Sequence, residues 1–303
     1  MLQTTIARTV SYTGVGLHSG KDVQMRLQPA PADSGIVFYV HTPSGVRHIA
    51  PRPSAVSATA LATTLSDGQA SVSTVEHVLA ALAGMAVDNV QVHVFGGEIP
   101  IMDGSAVQAA ALLKEAGLRS LHAPRRVARV RRPLSVAGDG KAIHVWPHNG
   151  FYVDYTIDFP HASIGKQRLS LEITPDTFAE IAFARTFGFL QEVEYLHSRG
   201  LALGGSLGNA VVLDEQGVVN PEGLRRPDEF VRHKMLDFVG DMAMLGMPLQ
   251  GAFEVHCSGH QLNNAFLRRL SEERRACKES RSRRRQYEPT KEGEAFPDMV
   301  VPA

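Results

Sequence analysis

One short segment of the chain carries three side chains that could bind a metal or move protons. His233, Asp237 and Asp241 lie four residues apart in EFVRHKMLDFVGDMAML, so an α-helix places them on one face over two turns. Neutral imidazole and carboxylate are ligands of catalytic zinc sites, which keep one position for water. We therefore predict that His233 and Asp237 are metal ligands. The alternative is a solvated charged stripe, with Arg232 and Lys234 as salt-bridge partners.

A second segment could supply the missing ligand and a general base. STVEHVLAALAG, residues 73–84, places Glu76 and His77 at the start of an apolar helical pattern. A zinc hydrolase needs three protein ligands, a polarised water and a carboxylate that takes the proton of this water. We predict that His77 completes the ligand set and that Glu76 is the base. The alternative is a capping box, Ser73-x-x-Glu76, in which the glutamate only satisfies backbone donors.

Composition restricts the class of protein and its partners. The chain has 303 residues, is 44% hydrophobic, and balances 31 Lys plus Arg against 31 Asp plus Glu. This balance provides no overall field to recruit nucleic acid or an anionic membrane. Two cysteines exclude a disulfide framework and are typical of a reducing cytoplasm. With no secretion signal and no apolar run near the ~18 residues of a membrane span, we expect a cytoplasmic protein without stable membrane insertion.

The hydrophobic pattern indicates two halves that share an order of strands followed by helices. Residues 1–65 alternate in short strand-like runs. The basic stretch HAPRRVARVRRP, residues 122–133, lies between prolines, and we interpret it as a domain boundary rather than a phosphate-binding patch. The other predicted elements are helices at 73–84 and about 105–116, strands near 142–159, a helix near 175–183, a glycine-rich apolar insert, the helix carrying His233, and a charged tail at 271–303. The tail is interpreted as poorly ordered or as a solvated helix end.

Six short motifs follow one another between residue 1 and about residue 270. They are GVGLHSG (14–20), STVEH (73–77), EIPIMDGSA (98–106), ARTFGF (184–189), EFVRHKMLDFVGD (229–241) and SGHQLNN (258–264). In type and order they resemble the UDP-3-O-acyl-N-acetylglucosamine deacetylase family of lipid A biosynthesis. The resemblance implies a Zn(II)-dependent amidase that removes acetate from the 2-amino group of an acylated UDP-glucosamine.

The resemblance also assigns roles to the residues of the predicted centre. His77, His233 and Asp237 match the family's zinc ligands. Glu76 matches the general base. Thr186 in ARTFGF matches the hydroxyl that donates to the tetrahedral oxyanion.

The family's general acid corresponds to His260 in SGH, whose imidazolium would protonate the leaving amine. Asp241 would hold and stabilise that ring, which agrees with its place two helical turns beyond the ligand His233. Lys234 would add positive charge for the developing oxyanion.

Substrate contacts are implied in three places. His18 in GVGLHSG would line the cleft, and Lys141 matches a nucleotide-contacting lysine. The insert near 190–214 resembles the family's passage for the acyl chain. The apolar residues assigned to it are Phe187, Phe189, Val193, Leu203 and Val212. The chain departs from the family at Cys257, where lysine is common, so a cation for the diphosphate is missing or replaced by another basic group.

We therefore expect two similar α+β domains, 1–122 and 127–270, with the active site between them. Each domain is predicted to layer a small, mainly antiparallel sheet with two helices. The expected partner is UDP-3-O-acyl-N-acetylglucosamine, and the expected state is a monomer. Two other functions stay open: a zinc amidase for another acylated sugar or a peptide, and a catalytically silent protein that binds sugar nucleotides or acyl chains. Iron also suits a His, His, Asp set.

Overall fold

The computed structural model describes residues 1–286, with side chains described to residue 273. It confirms the predicted α+β class. Each half contains a main sheet, and in both halves the first four strands of this sheet are followed by a helix, by the fifth strand and by a second helix. Smaller elements are inserted between the fourth strand and the first of these helices.

The elements of the first half are β1 (Leu2–Ile6), β2 (Val10–Val15), β3 (Asp22–Pro29), β4 (Ile36–Thr42), β5 (Gly45–Ile49), β6 (Val56–Ala58), β7 (Thr64–Ser66), β8 (Ser71–Val72), α1 (Glu76–Gly84), β9 (Val90–Phe95), α2 (Val107–Ala116) and β10 (Leu118–Pro124). Those of the second half are β11 (Ala128–Arg129), β12 (Leu134–Gly138), β13 (Lys141–Trp146), β14 (Phe151–Phe159), β15 (Gly165–Glu172), α3 (Ala179–Ala182), β16 (Phe187–Phe189), α4 (Val193–Ser198), β17 (Val211–Leu213), α5 (Glu229–Met242), β18 (Leu249–His256) and α6 (His260–Gln286).

The main sheets of the two halves have the same topology. Their strand orders are β2-β3-β9-β4-β5 and β12-β13-β18-β14-β15, with the short β11 also paired to β18. In each sheet the last strand lies in the middle, antiparallel to the second strand and parallel to the third. The inward positions alternate as expected for a half-buried sheet, for example Val23, Met25 and Leu27 on β3. The halves are therefore structural repeats, although no sequence repeat is visible.

Helices α1 and α5 pack against each other in the interior. Both are buried along most of their length, which is expected of helices covered on more than one side. The two helices approach closely at Gly240, where a Cβ atom would lie 2.0 Å from the carbonyl oxygen of Glu76. Glycine at this position thus lets the start of α1 approach the last turn of α5. The predicted ligands on the two helices meet for this reason.

Gly240→Ala should lower the free energy of unfolding by about 1–3 kcal/mol, because the added methyl group forces the two backbones apart. Urea denaturation monitored by circular dichroism measures this change. Gly138→Ala is a matched control, since a Cβ there meets nothing within 4 Å. Equal unfolding midpoints for Gly240→Ala and the natural protein would contradict the close approach.

The helix predicted near 175–183 is wrong in its length. Only Ala179–Ala182 form α3, preceded by hydrogen-bonded turns. Reciprocal bonds between backbone N–H and hydroxyl groups join Thr174 and Thr177, and such local bonds compete with regular helix. At the other end, the backbone N–H of Arg185 donates to Glu229 and draws the chain away from helical geometry.

Residues 1–268 form one compact unit that contains both main sheets. Within it, β10 pairs with β1 whereas β11 pairs with β18, so we propose the boundary between the halves at residues 122–127. Helix α6 ends at Gln286. The rest of the predicted charged tail lies outside the described residues. Among the helices that the structure describes, none is long and apolar enough to cross a membrane.

Candidate active site and metal centre

The three side chains at helical spacing on α5 point into the protein. His233, Asp237 and Asp241 are only 3%, 4% and 3% exposed. The alternative of a solvated charged stripe is therefore wrong. Lys234 is also not a free surface lysine, because its Nζ donates to Oδ2 of Asp237 at 2.7 Å. Buried charges require partners, so this face must be satisfied by other protein groups or by a cation.

The first turn of α1 brings Glu76 and His77 to the same place. Val75 precedes the helix and makes no side-chain capping bond. Glu76 instead accepts, through Oε2, the backbone N–H of Thr63 at 3.0 Å. The capping-box alternative is therefore wrong. Burial raises the pKa of Glu76 above its ordinary value, which is suitable for a general base.

His77, His233 and Asp237 form one compact donor set. Their ligand atoms lie within 4.8 Å of one another. The Nε2 atoms of the two histidines are 3.4 and 3.3 Å from the same atom, Oδ1 of Asp237. This oxygen is buried, and within the described part of the chain it makes no hydrogen bond. Two imidazole nitrogens and a carboxylate oxygen without a hydrogen-bond donor are typical ligands of a divalent cation, so the set fits a metal ion.

Neighbouring groups set the protonation of these ligands. Nδ1 of His233 lies 3.2 Å from the carbonyl oxygen of Ala184, which can only accept, so Nδ1 carries the proton and Nε2 is free for a metal. Burial lowers the pKa of His233 to about 4 and keeps the ring neutral. Burial alone would raise the pKa of Asp237, but neighbouring positive charge, including the ammonium group of Lys234 bonded to it, holds the value well below the ordinary one. Both groups thus have the form that ligation needs.

His260 forms an ion pair with Asp241 beside the donor set. Nδ1 of His260 lies 2.7 Å from Oδ2 of Asp241. The same carboxylate accepts bonds from the amide of Asn263 and the hydroxyl of Thr63, both at 2.7 Å. Burial lowers the pKa of His260, but the carboxylates of Asp241 and Glu76 more than offset it and raise the value to about 9. The imidazolium is therefore a proton donor at neutral pH.

Strand β16 and the residue before it border this centre. The backbone N–H of Thr186 donates to the carbonyl of Gly104 at 2.8 Å, and its carbonyl accepts from Val211 at 2.8 Å. The ring of Phe187 lies edge-on to that of His233, with 6.0 Å between ring centroids. The ARTFGF segment thus reaches the donor set through Phe187, and Thr186, the residue before it, is half-buried.

The loop that carries His18 is fastened by a buried glutamate. Glu98 accepts the backbone N–H groups of His18 and Ser19 at 2.8 and 2.9 Å, and the hydroxyl of Thr74 at 3.1 Å. Nε2 of His18 is buried without a hydrogen bond to any described residue. Burial, with a smaller repulsion from His260, lowers the pKa of His18. His18 therefore lies near the proposed acid as a neutral ring.

The apolar insert lies beside the same loop. Strand β16, which contains Phe189, pairs in parallel with β17, which contains Val212. Val193 begins α4. The backbone N–H of Leu203 donates to the carbonyl of His18 at 3.3 Å, whereas its side chain is 49% exposed. The structure thus brings the insert to the His18 loop and leaves Leu203 open to a ligand or to solvent.

Lys141 lies apart from the donor set, exposed at the first position of β13. The next residue, Ala142, pairs with His256 on β18. Lys141 is therefore close along the sheet to Cys257, which follows His256. The Sγ atom of Cys257 lies 3.6 Å from Nε2 of His256. Lys141 and His256 consequently lie on either side of Cys257.

Sequence reasoning missed the groups that hold the catalytic side chains. Arg185 binds Glu229 through its backbone N–H, Nε and Nη2 at 3.0, 2.9 and 3.1 Å, which ties the ARTFGF segment to the start of α5. Both residues lie within the quoted motifs, and their opposite charges could have indicated that they pair. Asn263 lies in the quoted motif SGHQLNN, but Thr63 offered no signal, because it meets Asp241 across 178 residues of chain.

Comparisons with known proteins agree with this geometry. The model of the family described as LpxC, UDP-3-O-acyl N-acetylglycosamine deacetylase, matches residues 3–272. A protein of Nitratidesulfovibrio vulgaris named UDP-3-O-acyl-N-acetylglucosamine deacetylase is 62% identical over 272 residues, which are 90% of this chain and 88% of that protein. Proteins of the same name from Oleidesulfovibrio alaskensis and Pseudomonas entomophila are 59% and 45% identical, covering 90% and 88% of this chain and 90% and 89% of their own lengths.

The family match spans both halves of the chain and every residue of the donor set and the His260–Asp241 pair. Two of the relatives share more than half of their aligned residues with this chain. The chain therefore belongs to the UDP-3-O-acyl N-acetylglycosamine deacetylase family.

Proposed function

We propose that this protein hydrolyses the N-acetyl group of UDP-3-O-acyl-N-acetylglucosamine, giving UDP-3-O-acyl-glucosamine and acetate, an early committed step of lipid A biosynthesis. One observation carries the proposal beyond family membership. A buried carboxylate with a raised pKa, Glu76, and a buried imidazolium, His260, lie beside a donor set that fits a metal. A protein that only binds its ligand has no use for a base and an acid placed together. We further propose a cytoplasmic monomer.

Zn(II) is the proposed metal, held by His77, His233 and Asp237. When bound, zinc would polarise the acetamide carbonyl and lower the pKa of a water molecule. The ligands' own neighbours support this assignment, because Ala184 fixes the tautomer of His233 and Lys234 fixes Oδ2 of Asp237. Iron would fit the same donor set, and metal analysis of the purified protein decides between them.

Glu76 is the proposed general base. Its carboxylate is held by the backbone N–H of Thr63 through Oε2, so Oε1 can accept the proton of the attacking water. His260 is the proposed general acid, and its Nδ1 is occupied by Asp241. Nε2 is thus left to protonate the leaving nitrogen. An amine leaves poorly unless it receives a proton, so both groups are needed for the amide bond to break.

Charge that develops on the carbonyl oxygen needs donors fixed in advance. We assign this role to the hydroxyl of Thr186 and the ammonium group of Lys234. Burial lowers the pKa of Lys234, but Asp237 more than offsets it and raises the value above the ordinary one. Lys234 therefore stays positively charged at neutral pH. Its charge would stabilise the tetrahedral carbon's oxyanion without donating a proton.

The proposed substrate contacts are of two kinds, apolar residues for the acyl chain and polar residues for the nucleotide and the acetamide. We assign the acyl chain to the apolar residues of β16 and the insert, which are Phe187, Phe189, Val193, Leu203 and Val212. The assignment is supported by the contact of this segment with His233 and with the His18 loop. Lys141 is assigned to the nucleotide diphosphate, with His18 lining the cleft near the acetamide.

The purified protein, incubated with UDP-3-O-acyl-N-acetylglucosamine, should release acetate, as followed by mass spectrometry. Chelator should abolish the release and zinc should restore it. A parallel substrate without the UDP group separates this reaction from an amidase for another acylated sugar. A folded, zinc-loaded protein that releases no acetate from either compound would sink the proposal.

The value of kcat should fall at high pH, because His260 loses the proton that it must donate. Its pKa of about 9 in the protein without metal means that the active imidazolium is present below that pH and is lost above it. A bound dication would repel the imidazolium, so we expect this fall between the ordinary value of 6.5 and about 9. Asp241→Asn should move it to lower pH by removing the stabilising charge. An unchanged fall in Asp241→Asn, measured from kcat against pH, would contradict the assignment.

A further inference from the structure

Thr63 is bonded to two carboxylates that come from different halves of the chain. Its backbone N–H donates to Oε2 of Glu76 at 3.0 Å, and its hydroxyl donates to Oδ1 of Asp241 at 2.7 Å. We propose that Thr63 is a positioning residue, which holds the carboxylate behind the general acid in a fixed relation to the general base. This inference rests on the proposed deacetylase function.

The backbone around Thr63 is fixed by the start of α1. The N–H of Val75 donates to the carbonyl of Thr63 at 3.4 Å, while the N–H of Thr63 binds Glu76 in the first turn. Thr63 is itself buried, 2% exposed, directly before β7. These bonds fix the backbone of Thr63 at its N–H and at its carbonyl, and from this backbone the hydroxyl reaches Oδ1 of Asp241. Thr63 therefore holds the side chain of Asp241, on α5, in a fixed position relative to the first turn of α1.

The hydroxyl completes the set of donors around Asp241. Oδ2 accepts from His260 and from Asn263, whose own side-chain oxygen is held by the hydroxyl of Ser258. Oδ1 accepts from Thr63 alone among the described residues. A carboxylate can rotate broadly about its last torsion. Without the Thr63 hydroxyl, the carboxylate would be held through Oδ2 alone, and Oδ1 would be buried without a partner among the described residues.

His260 lies among several charged groups, so the effect of Thr63 must be separated from theirs. Those that interact with His260 are His18 from the β2–β3 loop, Glu76 and His77 from α1, and Asp237 and Asp241 from α5. Thr63→Val removes only the hydroxyl and keeps the shape, the backbone bond to Glu76 and every one of these charges. It is therefore the selective substitution.

Thr63→Val should reduce kcat about tenfold to hundredfold, because a small misplacement of a catalytic group has an effect of this size. KM and zinc content should stay as in the natural protein. Thr63→Ser restores the hydroxyl and should restore most of kcat. Thr64→Val makes the same chemical change at the next residue, which contacts neither carboxylate in the described structure, and should leave kcat unchanged. Natural kcat in Thr63→Val would overturn the inference.

A double-mutant cycle with His260→Ala distinguishes positioning from general packing. If Thr63 acts through Asp241 on His260, Thr63→Val should cause little further loss once the imidazole is absent. A full additional loss in the His260→Ala background would overturn the inference. If Thr63→Val does not fold, Thr63→Ala repeats the test, and unfolding of both variants would show a purely structural role.

A spectroscopic measurement separates failure of this inference from failure of the proposed function. The proton in the short bond between His260 and Asp241 should give a downfield imidazole resonance that His260→Ala removes. Thr63→Val should shift or broaden it, and Thr64→Val should leave it unchanged. This result needs no turnover. An inactive natural protein would reject the deacetylase proposal, whereas an unaltered resonance in Thr63→Val would reject the role of Thr63.

Discussion

Glu76→Gln should lower kcat by about 10²- to 10⁴-fold while zinc content stays at one ion per chain. The amide keeps the size of the side chain and can still accept the N–H of Thr63 through its oxygen, but it cannot take a proton from water. Steady-state kinetics together with metal analysis measure both quantities. His260→Ala should produce a loss of similar order with zinc retained, because the leaving amine then lacks its proton.

Ser73→Ala is the control for Glu76→Gln. It removes the hydroxyl that a capping box would use, and α1 makes no such capping bond in the structure. Its kcat and thermal stability should therefore be close to those of the natural protein. Near-normal turnover in both Glu76→Gln and His260→Ala would mean that neither residue has the role assigned here.

His233→Ala should lose both bound zinc and activity. The substitution removes one of the three ligand atoms, the imidazole nitrogen that lies 3.3 Å from Oδ1 of Asp237. A metal site with two protein ligands binds far more weakly. Zinc titration followed by thermal unfolding gives a measurement that does not depend on turnover. Zinc should raise the melting temperature of the natural protein, since it binds the folded state, and should have no such effect on His233→Ala.

Asp241→Asn is the matched control for the metal site, because Asp241 lies on the same buried face of α5 two turns further on. Its oxygens contact His260, Asn263 and Thr63 rather than the donor set. Zinc should therefore still stabilise Asp241→Asn although kcat falls. Equal zinc affinity for His233→Ala and the natural protein would remove His233 from the ligand set.

Part of the site could be predicted because its spacing is local. His233, Asp237 and Asp241 share a helix, so the helical repeat alone placed them on one face. Glu76 and His77 are adjacent, and the apolar pattern after them indicated a helix over residues 73–84, which in the structure begins at Glu76. The alternation of apolar residues likewise predicted the strands of both halves. Such patterns depend on a few neighbouring residues and need no knowledge of the rest of the fold.

Whether these faces were solvated or buried was decided by tertiary contacts. The spacing of His233, Asp237 and Asp241 is the same whether their side chains lie in water or in the interior. They are buried because α1 packs closely against α5 at Gly240. Tertiary contacts also decided against the alternative of a capping box, because Glu76 accepts the N–H of Thr63 instead.

The sequence by itself determined the α+β class, the two helices that carry the donor set and the residue types available for catalysis. The tertiary structure alone decided that one oxygen of Asp237 faces two imidazoles without a hydrogen-bond partner in the described part of the chain. It also decided that Thr63 is bonded to both Glu76 and Asp241. The physical reason is distance along the chain: contacts between residues far apart depend on how whole helices and sheets pack, and no local pattern records them.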